Sequence, residues 1–293
     1  MGATDHAALK DRGILITGAS AGIGRAVANA CLQAGADVAI CARNPEALKT
    51  AESELREIAK NGQSVLALCA DVGDPNAVHE LVASVASKFP NLAGVVNGAG
   101  ILGPKGALDE LDINEWISTI QVNLIGTMLL CRAVLPYFRV RNYGKIVNFS
   151  GGGATSPRPR FSAYAASKAA VVRLTENVAR ELNGTRIDVN AISPGAVNTR
   201  MLYEVLAAGP AKVGESAYAD ALKQRDNGGA SAERAAKLCV MLLSGKSDGL
   251  TGRLISAVWD PWETLPMRKN ELANNDVYTL RRIVPADRGL DWN

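Results

Sequence analysis

Seven short runs rich in Val and Ile punctuate the chain, at residues 13–17, 37–41, 64–68, 93–96, 145–149, 186–192 and 253–257. Each is almost continuously apolar, as a strand covered on both faces must be; a strand with one wet face would alternate. Between them the apolar spacing turns helical, at 22–34, 45–61, 75–89, 114–139, 164–182 and 232–243. Strand and helix in alternation imply right-handed crossovers, and hence an α/β fold on a doubly wound, mainly parallel sheet. No Pro/Ser-rich linker divides this pattern, so residues 1–257 read as one domain. Residues 200–230 break the rhythm: they are polar and Gly-punctuated, which suits a mobile substrate loop with short helices. The pattern stops after residue 257, so 258–293 is expected to be a tail without a strand partner, serving docking or subunit contact.

Composition narrows the classes. The 293 residues are 47% hydrophobic and 21% charged with a net charge of +3, which excludes disorder as the dominant state. The sequence pI is near 8.6, yet basic and acidic residues are interspersed, so nucleic acid binding is not expected. The longest apolar stretch, 124–138, is interrupted by Arg132, so no membrane span is expected. The N-terminus lacks the apolar core of a leader, and His6 stands where a myristoylation signal wants Ser or Thr. Five cysteines, odd in number and set in apolar segments, read as buried reduced thiols of a cytoplasmic protein. Two histidines and no paired cysteines argue against a metal site.

Glycine changes the picture more than charge does. The first strand runs into Thr17-Gly18-Ala19-Ser20-Ala21-Gly22-Ile23-Gly24 and then a helix. Such a turn lets the backbone approach a pyrophosphate, and the helix N-terminus attracts it. Gly18, Ser20, Gly22, Ile23 and Gly24 are therefore cofactor candidates. The second strand ends at Ala42-Arg43 with no carboxylate until Glu46, and Arg43 can fork a 2′-phosphate, so NADP(H) is favoured over NAD(H). Asp71-Val72 and Asn97-Gly98-Ala99-Gly100 follow the third and fourth strands, at the edge where doubly wound sheets bind ligands. Tyr164 and Lys168 stand four apart on one helical face. An ammonium about 5 Å from a phenol, at an effective dielectric of 20, lowers its pKa by roughly two units and makes it a usable acid/base.

Together these residues resemble the short-chain dehydrogenase/reductase superfamily in its single-domain branch, over roughly residues 10–257. The resemblance rests on the Thr17–Gly24 turn, Asp71-Val72, Asn97–Gly100, Asn123, Tyr164-Ala-Ala-Ser-Lys168, and Pro194-Gly195 with Thr199. It implies a Rossmann fold and hydride transfer between a nicotinamide cofactor and a hydroxyl or keto carbon. Tyr164 would be the general acid/base, Lys168 would lower its pKa and hold the nicotinamide ribose, and Asn123 would anchor a water relay. Pro194, Gly195, Val197 and Thr199 would cover the nicotinamide. Relatives pair long helices, which implies a homodimer or homotetramer through 114–139 and 164–182.

One departure matters. The family's serine is expected thirteen residues before the tyrosine, where this chain has Gly151, within Ser150-Gly151-Gly152-Gly153. Ser150, Ser156 and Ser162 are the candidate substitutes. The missing serine leaves a cofactor-binding regulatory or scaffold protein as the competing reading, while a dehydratase or epimerase suits the branch less well. The following Ser156-Pro157-Arg158-Pro159-Arg160 suggests an anionic substrate met by Arg158 or Arg160. Trp259, Trp262 and Trp292 concentrate large rings in the tail.

Overall fold

The computed structural model describes residues 7–60 and 62–292. Residues 1–6, on which the leader and lipidation expectations rest, and Asn61, the expected end of the second helix, lie outside them. The strands are β1 (Gly13–Thr17), β2 (Asp37–Ala42), β3 (Val65–Cys69), β4 (Leu92–Asn97), β5 (Gly144–Phe149), β6 (Ile187–Ser193) and β7 (Leu254–Ser256). They form one parallel sheet in the order β3-β2-β1-β4-β5-β6-β7. The helices are α1 (Gly22–Gln33), α2 (Pro45–Ile58), α3 (Pro75–Lys88), α4 (Ile113–Ile120), α5 (Gly126–Arg141), α6 (Ser162–Glu181), α7 (Arg200–Val213), α8 (Glu215–Asp226), α9 (Ala232–Leu243) and α10 (Lys269–Ala273).

Both faces of the central strands are dry, as the unbroken apolar runs require, while β3 at the edge is partly exposed. Along β1, Ile14 and Ile16 join the core layer under α1 and α9, while Leu15 joins the opposite layer under α3 and α5. Helices α2 and α3 start where their signals say: Asn44 and Asp74 accept backbone N–H groups of the first turn, and Pro45 and Pro75 follow. The amino ends of β5 and β6 are pinned by a buried ion cluster. Lys145 Nζ lies 2.5 Å from Asp188 Oδ2 and 2.7 Å from Asp248 Oδ1.

The structure refines several expectations. The segment after β6 holds the short helices expected there: α7 and α8, 14 and 12 residues long, bury Leu202, Val205, Val213 and Ala221. The helix expected over 114–139 runs from 113 to 141 and includes a π-helical turn, Gln121–Ile125, between α4 and α5. By length and composition this 29-residue rod could cross a membrane, although Arg132 had spoken against a span; half of its most apolar window is buried in the fold. The described residues of the tail form no strand, as expected, but the tail is tied to the sheet edge, since Leu254 of β7 donates its N–H to the Tyr278 carbonyl at 2.8 Å. Trp262 is 6% exposed and joins the core with Leu265 and Leu272, whereas Trp259 and Trp292 remain 85% and 77% exposed. Four cysteines are buried, and burial pushes the Cys31, Cys41 and Cys131 thiols up to about 12. The fifth, Cys69, is exposed beside the Arg43 carbonyl.

Candidate active site

The carboxyl ends of the central strands converge on two connected regions. In the first, β1 leaves through Thr17, whose Oγ1 accepts the N–H groups of Gly98 at 3.2 Å and Ala99 at 3.3 Å. The turns after β1 and β4 are thereby stitched together. Gly18 has a φ of +67°, and a Cβ there would stand 2.8 Å from the Ala99 backbone, so only glycine fits. Helix α1 then starts at Gly22 with no side-chain acceptor, unlike α2 and α3, and with no acidic residue in its first turn. Its leading N–H groups stay open to an anion, and partly buried Ser20 and Ile23 flank them while Gly24 packs below. Of Pro194, Gly195, Val197 and Thr199, the last is brought to the same place, since Thr199 Cγ2 lies 3.4 Å from where a Gly22 Cβ would be, while Gly195 faces Val258 and Ala230. Bonds from Ala230 N–H to the Ala196 carbonyl (2.8 Å) and between Val197 and Gly229 brace this segment.

At the far end, Arg43 closes the β2 edge with its guanidinium 3.7 Å from Asp71, whose Oδ1 also accepts the Gly73 N–H at 2.8 Å. Val72 is buried against Gly126. Asn97 donates to Asn148 Oδ1 (2.8 Å), and Asn148 donates to Thr175 Oγ1 (2.9 Å), joining β4, β5 and α6 inside the protein. An uncapped helix start, a backbone cradle that a Cβ would fill and a basic residue at the β2 edge fit a dinucleotide.

The second region gathers the candidate acid/base residues. Tyr164 and Lys168 lie one turn apart on α6 and both are buried. Lys168 Nζ donates to the Phe149 carbonyl at 2.8 Å and stands 5.7 Å from the Tyr164 ring centroid. Among the described residues no carboxylate pairs with it, and burial lowers its ammonium to about 8. Burial pushes the Tyr164 phenol up, and the charge that opposes this is Arg158, its guanidinium carbon 5.6 Å from the ring centroid. Lys168, one of whose three N–H groups is spent on the Phe149 carbonyl, stands as near that ring as Arg158 does, so two cations face the phenol where the sequence pointed to Lys168 alone.

Asn123 sits in the π-helical turn and is fully buried. Its Oδ1 accepts the Ile101 N–H (2.9 Å), and its Nδ2 donates to the Ile101 carbonyl (2.9 Å) and to Ser167 Oγ (3.0 Å). With its amide fully used, Asn123 locks the loop after β4 onto α6. Gly100 lies in the gap between, where a Cβ would approach Asn123 Oδ1 to 3.2 Å and Lys168 Nζ to 3.5 Å. At Gly151 a Cβ would stand 2.5 Å from Tyr164 Oη, so the phenol occupies the space a serine side chain would take. Ser150 Oγ is turned away onto the Lys168 carbonyl (3.4 Å), and Ser162 Oγ accepts from Trp116 Nε1 (3.1 Å). Ser156 is exposed. Arg160 bonds the carbonyls of Ala211 (3.1 Å) and Lys212 (3.4 Å), so only Arg158 faces the candidate site. Sequence reasoning missed the Phe149 carbonyl, which carries no residue-type signal, and Gly100, which the Asn97–Gly100 motif contained without a stated task.

Comparison with known proteins agrees with this geometry. The short chain dehydrogenase family model matches residues 12–208. The chain belongs to the short chain dehydrogenase family. This dehydrogenase is 35% identical over 278 residues to a short chain dehydrogenase of Monascus purpureus, covering 93% of this chain and 89% of that one. It is similar to the crystal structure of levodione reductase, with 28% identity and a TM-score of 0.77, over 85% of this chain and 96% of that one. It is also similar to a variant of the actinorhodin polyketide ketoreductase with NADPH, with 29% identity and a TM-score of 0.76, over 87% and 97%. The family is one of oxidoreductases that use a nicotinamide cofactor and act on small molecules.

Proposed function

We propose that this dehydrogenase is NADP(H)-dependent and transfers hydride between the cofactor and a hydroxyl or keto carbon of a small substrate. The observation that carries the reading is the buried Tyr164–Lys168 pair, held against the Phe149 carbonyl beside the open start of α1. Bound cofactor supplies the hydride. Tyr164 Oη gives or takes the proton of the substrate oxygen, and Lys168 carries the positive charge beside it. Asn123 holds both from behind through Ile101 and Ser167. Gly18, Ser20, Gly22, Ile23 and Gly24 would cradle the pyrophosphate, and Asp71, Val72, Asn97, Gly98 and Ala99 would line the adenosine path. Pro194 to Thr199 would cover the nicotinamide.

Arg43 supports NADP(H), since an exposed guanidinium ends β2 where NAD enzymes of this fold place an acid. The ketoreductase neighbour with NADPH supports it as well. Residues 1–257 form the cofactor-binding unit in this reading, with 258–293 as its clasp, and copies assemble into a homodimer or homotetramer through α4–α5 and α6. The test is oxidation of NADPH and of NADH with ethyl acetoacetate and 1,4-cyclohexanedione, against Tyr164→Phe, with light scattering for assembly. Turnover with NADPH that Tyr164→Phe abolishes supports the reading. Preference for NADH overturns the cofactor assignment, and turnover that survives Tyr164→Phe overturns the role of the phenol.

A further inference from the structure

Arg158 is a half-buried cation whose partners are aromatic faces. Its guanidinium carbon lies 4.1 Å from the Phe161 ring centroid and 5.6 Å from that of Tyr164. Among the described residues no carboxylate and no hydrogen-bond acceptor engages that guanidinium. The stacking fixes its plane but leaves its N–H groups to spare. The backbone fixes it as well. Pro159 restricts Arg158 to extended conformations, Pro157 stiffens the residue before it, and the Phe161 N–H closes onto the Arg158 carbonyl at 3.3 Å. A flexible side chain is thereby held in one place, with part of its ordering cost removed in advance.

The three glycines facing it clear the ground between guanidinium and phenol. A Cβ on Gly153 would come within 3.3 Å of Arg158 Cβ, and one on Gly152 within 4.0 Å of Arg158 Nη1. At Gly151 the would-be side chain is replaced by Tyr164 Oη itself. The chain therefore lacks the hydroxyl expected at residue 151 and carries, a few residues on, a preordered donor with no partner among the described residues, set over the ring of the same tyrosine.

We propose that Arg158 is a catalytic residue, donating to the substrate oxygen that reacts in place of the absent residue-151 hydroxyl and stabilising the negative charge that develops there. The inference rests on the reading of Tyr164 as the proton carrier. In the direction of reduction the carbonyl carbon takes hydride from the reduced nicotinamide, its oxygen takes the Tyr164 Oη proton, and Arg158 stays protonated throughout. A guanidinium suits this task because it carries several fixed donors and cannot compete for the proton. Charged groups near the phenol are few: Arg158 on the loop before α6 and Lys168 on α6 itself. The elements packed on its ring bring Phe161, Leu102 from the loop after β4, and Leu202 and Val205 from α7. The Lys105–Glu204 pair (3.8 Å) joins that loop to α7.

Two measurements on the full chain test this. The first needs no turnover: with 3-fluorotyrosine incorporated, the fluorine resonance of residue 164, assigned by its loss in Tyr164→Phe, is titrated with pH. Arg158→Gln and Arg158→Met are expected to raise its midpoint by about one unit or more, and Arg158→Lys to keep it near wild type. The second is the pH dependence of kcat and KM for NADPH-driven reduction of 1,4-cyclohexanedione. Arg158→Gln and Arg158→Met should lower kcat by ~10²-fold with partial rescue in Arg158→Lys. An unmoved midpoint, or a raised KM with unchanged kcat, would overturn the proposal; the latter result would assign Arg158 to a remote anionic group of the substrate. If wild type reduces neither probe, the proposed function fails separately, and the fluorine titration alone decides the role of Arg158.

Discussion

Two lysines are buried at opposite ends of strand β5, 1% and 4% exposed, and the protein treats them in opposite ways. At the amino end Lys145 is ringed by Asp188 and Asp248, at 2.5 and 2.7 Å, and Ser247 Oγ lies at 3.4 Å. At the carboxyl end Lys168 meets the Phe149 carbonyl at 2.8 Å and no carboxylate among the described residues. A buried charge with fixed counter-charges is a structural joint; one held only by a dipole can respond to what arrives beside it. The difference separates the two ends of the sheet into a framework end and a reactive end. The loops at the reactive end bear its cost.

The sharpest way to break this comparison is to remove each ammonium in turn. Lys145→Met should cost ~3–5 kcal/mol in denaturant unfolding, because Asp188 is left buried without its counter-charge, while kcat per folded molecule stays unchanged. A cost near zero would show that the cluster is no joint. Lys168→Met should do the reverse. Turnover should fall by ~10²-fold or more. The cofactor-free protein should gain ~1–3 kcal/mol, since the desolvated charge disappears and one carbonyl loses its donor. A loss of stability in Lys168→Met would contradict the reading of an uncompensated charge.

The same contrast sets a pH dependence. Folding lowers the Lys168 ammonium from 10.5 to about 8, so between these values the unfolded chain binds more protons than the folded one. Stability of the cofactor-free protein should therefore rise with pH across that window relative to Lys168→Met, and the gap should close above it. Parallel curves for the two proteins would refute the shift. Smaller effects are expected at the edges of the site. Gly151→Ala places a Cβ where Tyr164 Oη now lies, and moving the phenol should lower kcat ~10-fold with cofactor affinity retained. Arg43→Ala should raise KM for NADPH ~5- to 10-fold and leave KM for NADH nearly unchanged, as loss of one exposed charge-assisted contact predicts. Equal effects on both cofactors would remove Arg43 from the 2′-phosphate.

Legibility followed the same division. Strands β1 to β7 and the starts of α2 and α3 were readable because continuous apolar runs, Asn44-Pro45 and Asp74-Pro75 act locally. The Thr17–Gly24 turn was readable because its function uses the backbone conformation that glycine permits. The helices after β6 were legible only as short helices without bounds, because few apolar positions on each, Leu202, Val205 and Val213 on α7 and Ala221 on α8, are buried. They cluster with Leu102, Phe161 and Tyr164, far away in sequence. Where the tail sits was not readable for a similar reason: its contacts are to Arg253, which reaches the carbonyls of Asn275 (3.0 Å) and Val277 (2.7 Å), and to Glu176, which accepts the Leu280 N–H (2.6 Å).

By itself the sequence determined the α/β order, the parallel sheet, the nucleotide turn and the spacing of Tyr164 and Lys168, because each depends on residues near one another along the chain. Tertiary structure alone decided that Arg158 joins Lys168 at the phenol, what fills the space at Gly151, where the tail lies and why one buried lysine is neutralised and the other is not. Those outcomes depend on distances between segments brought together by burial, and a sequence records side-chain chemistry but not the partner that will desolvate it.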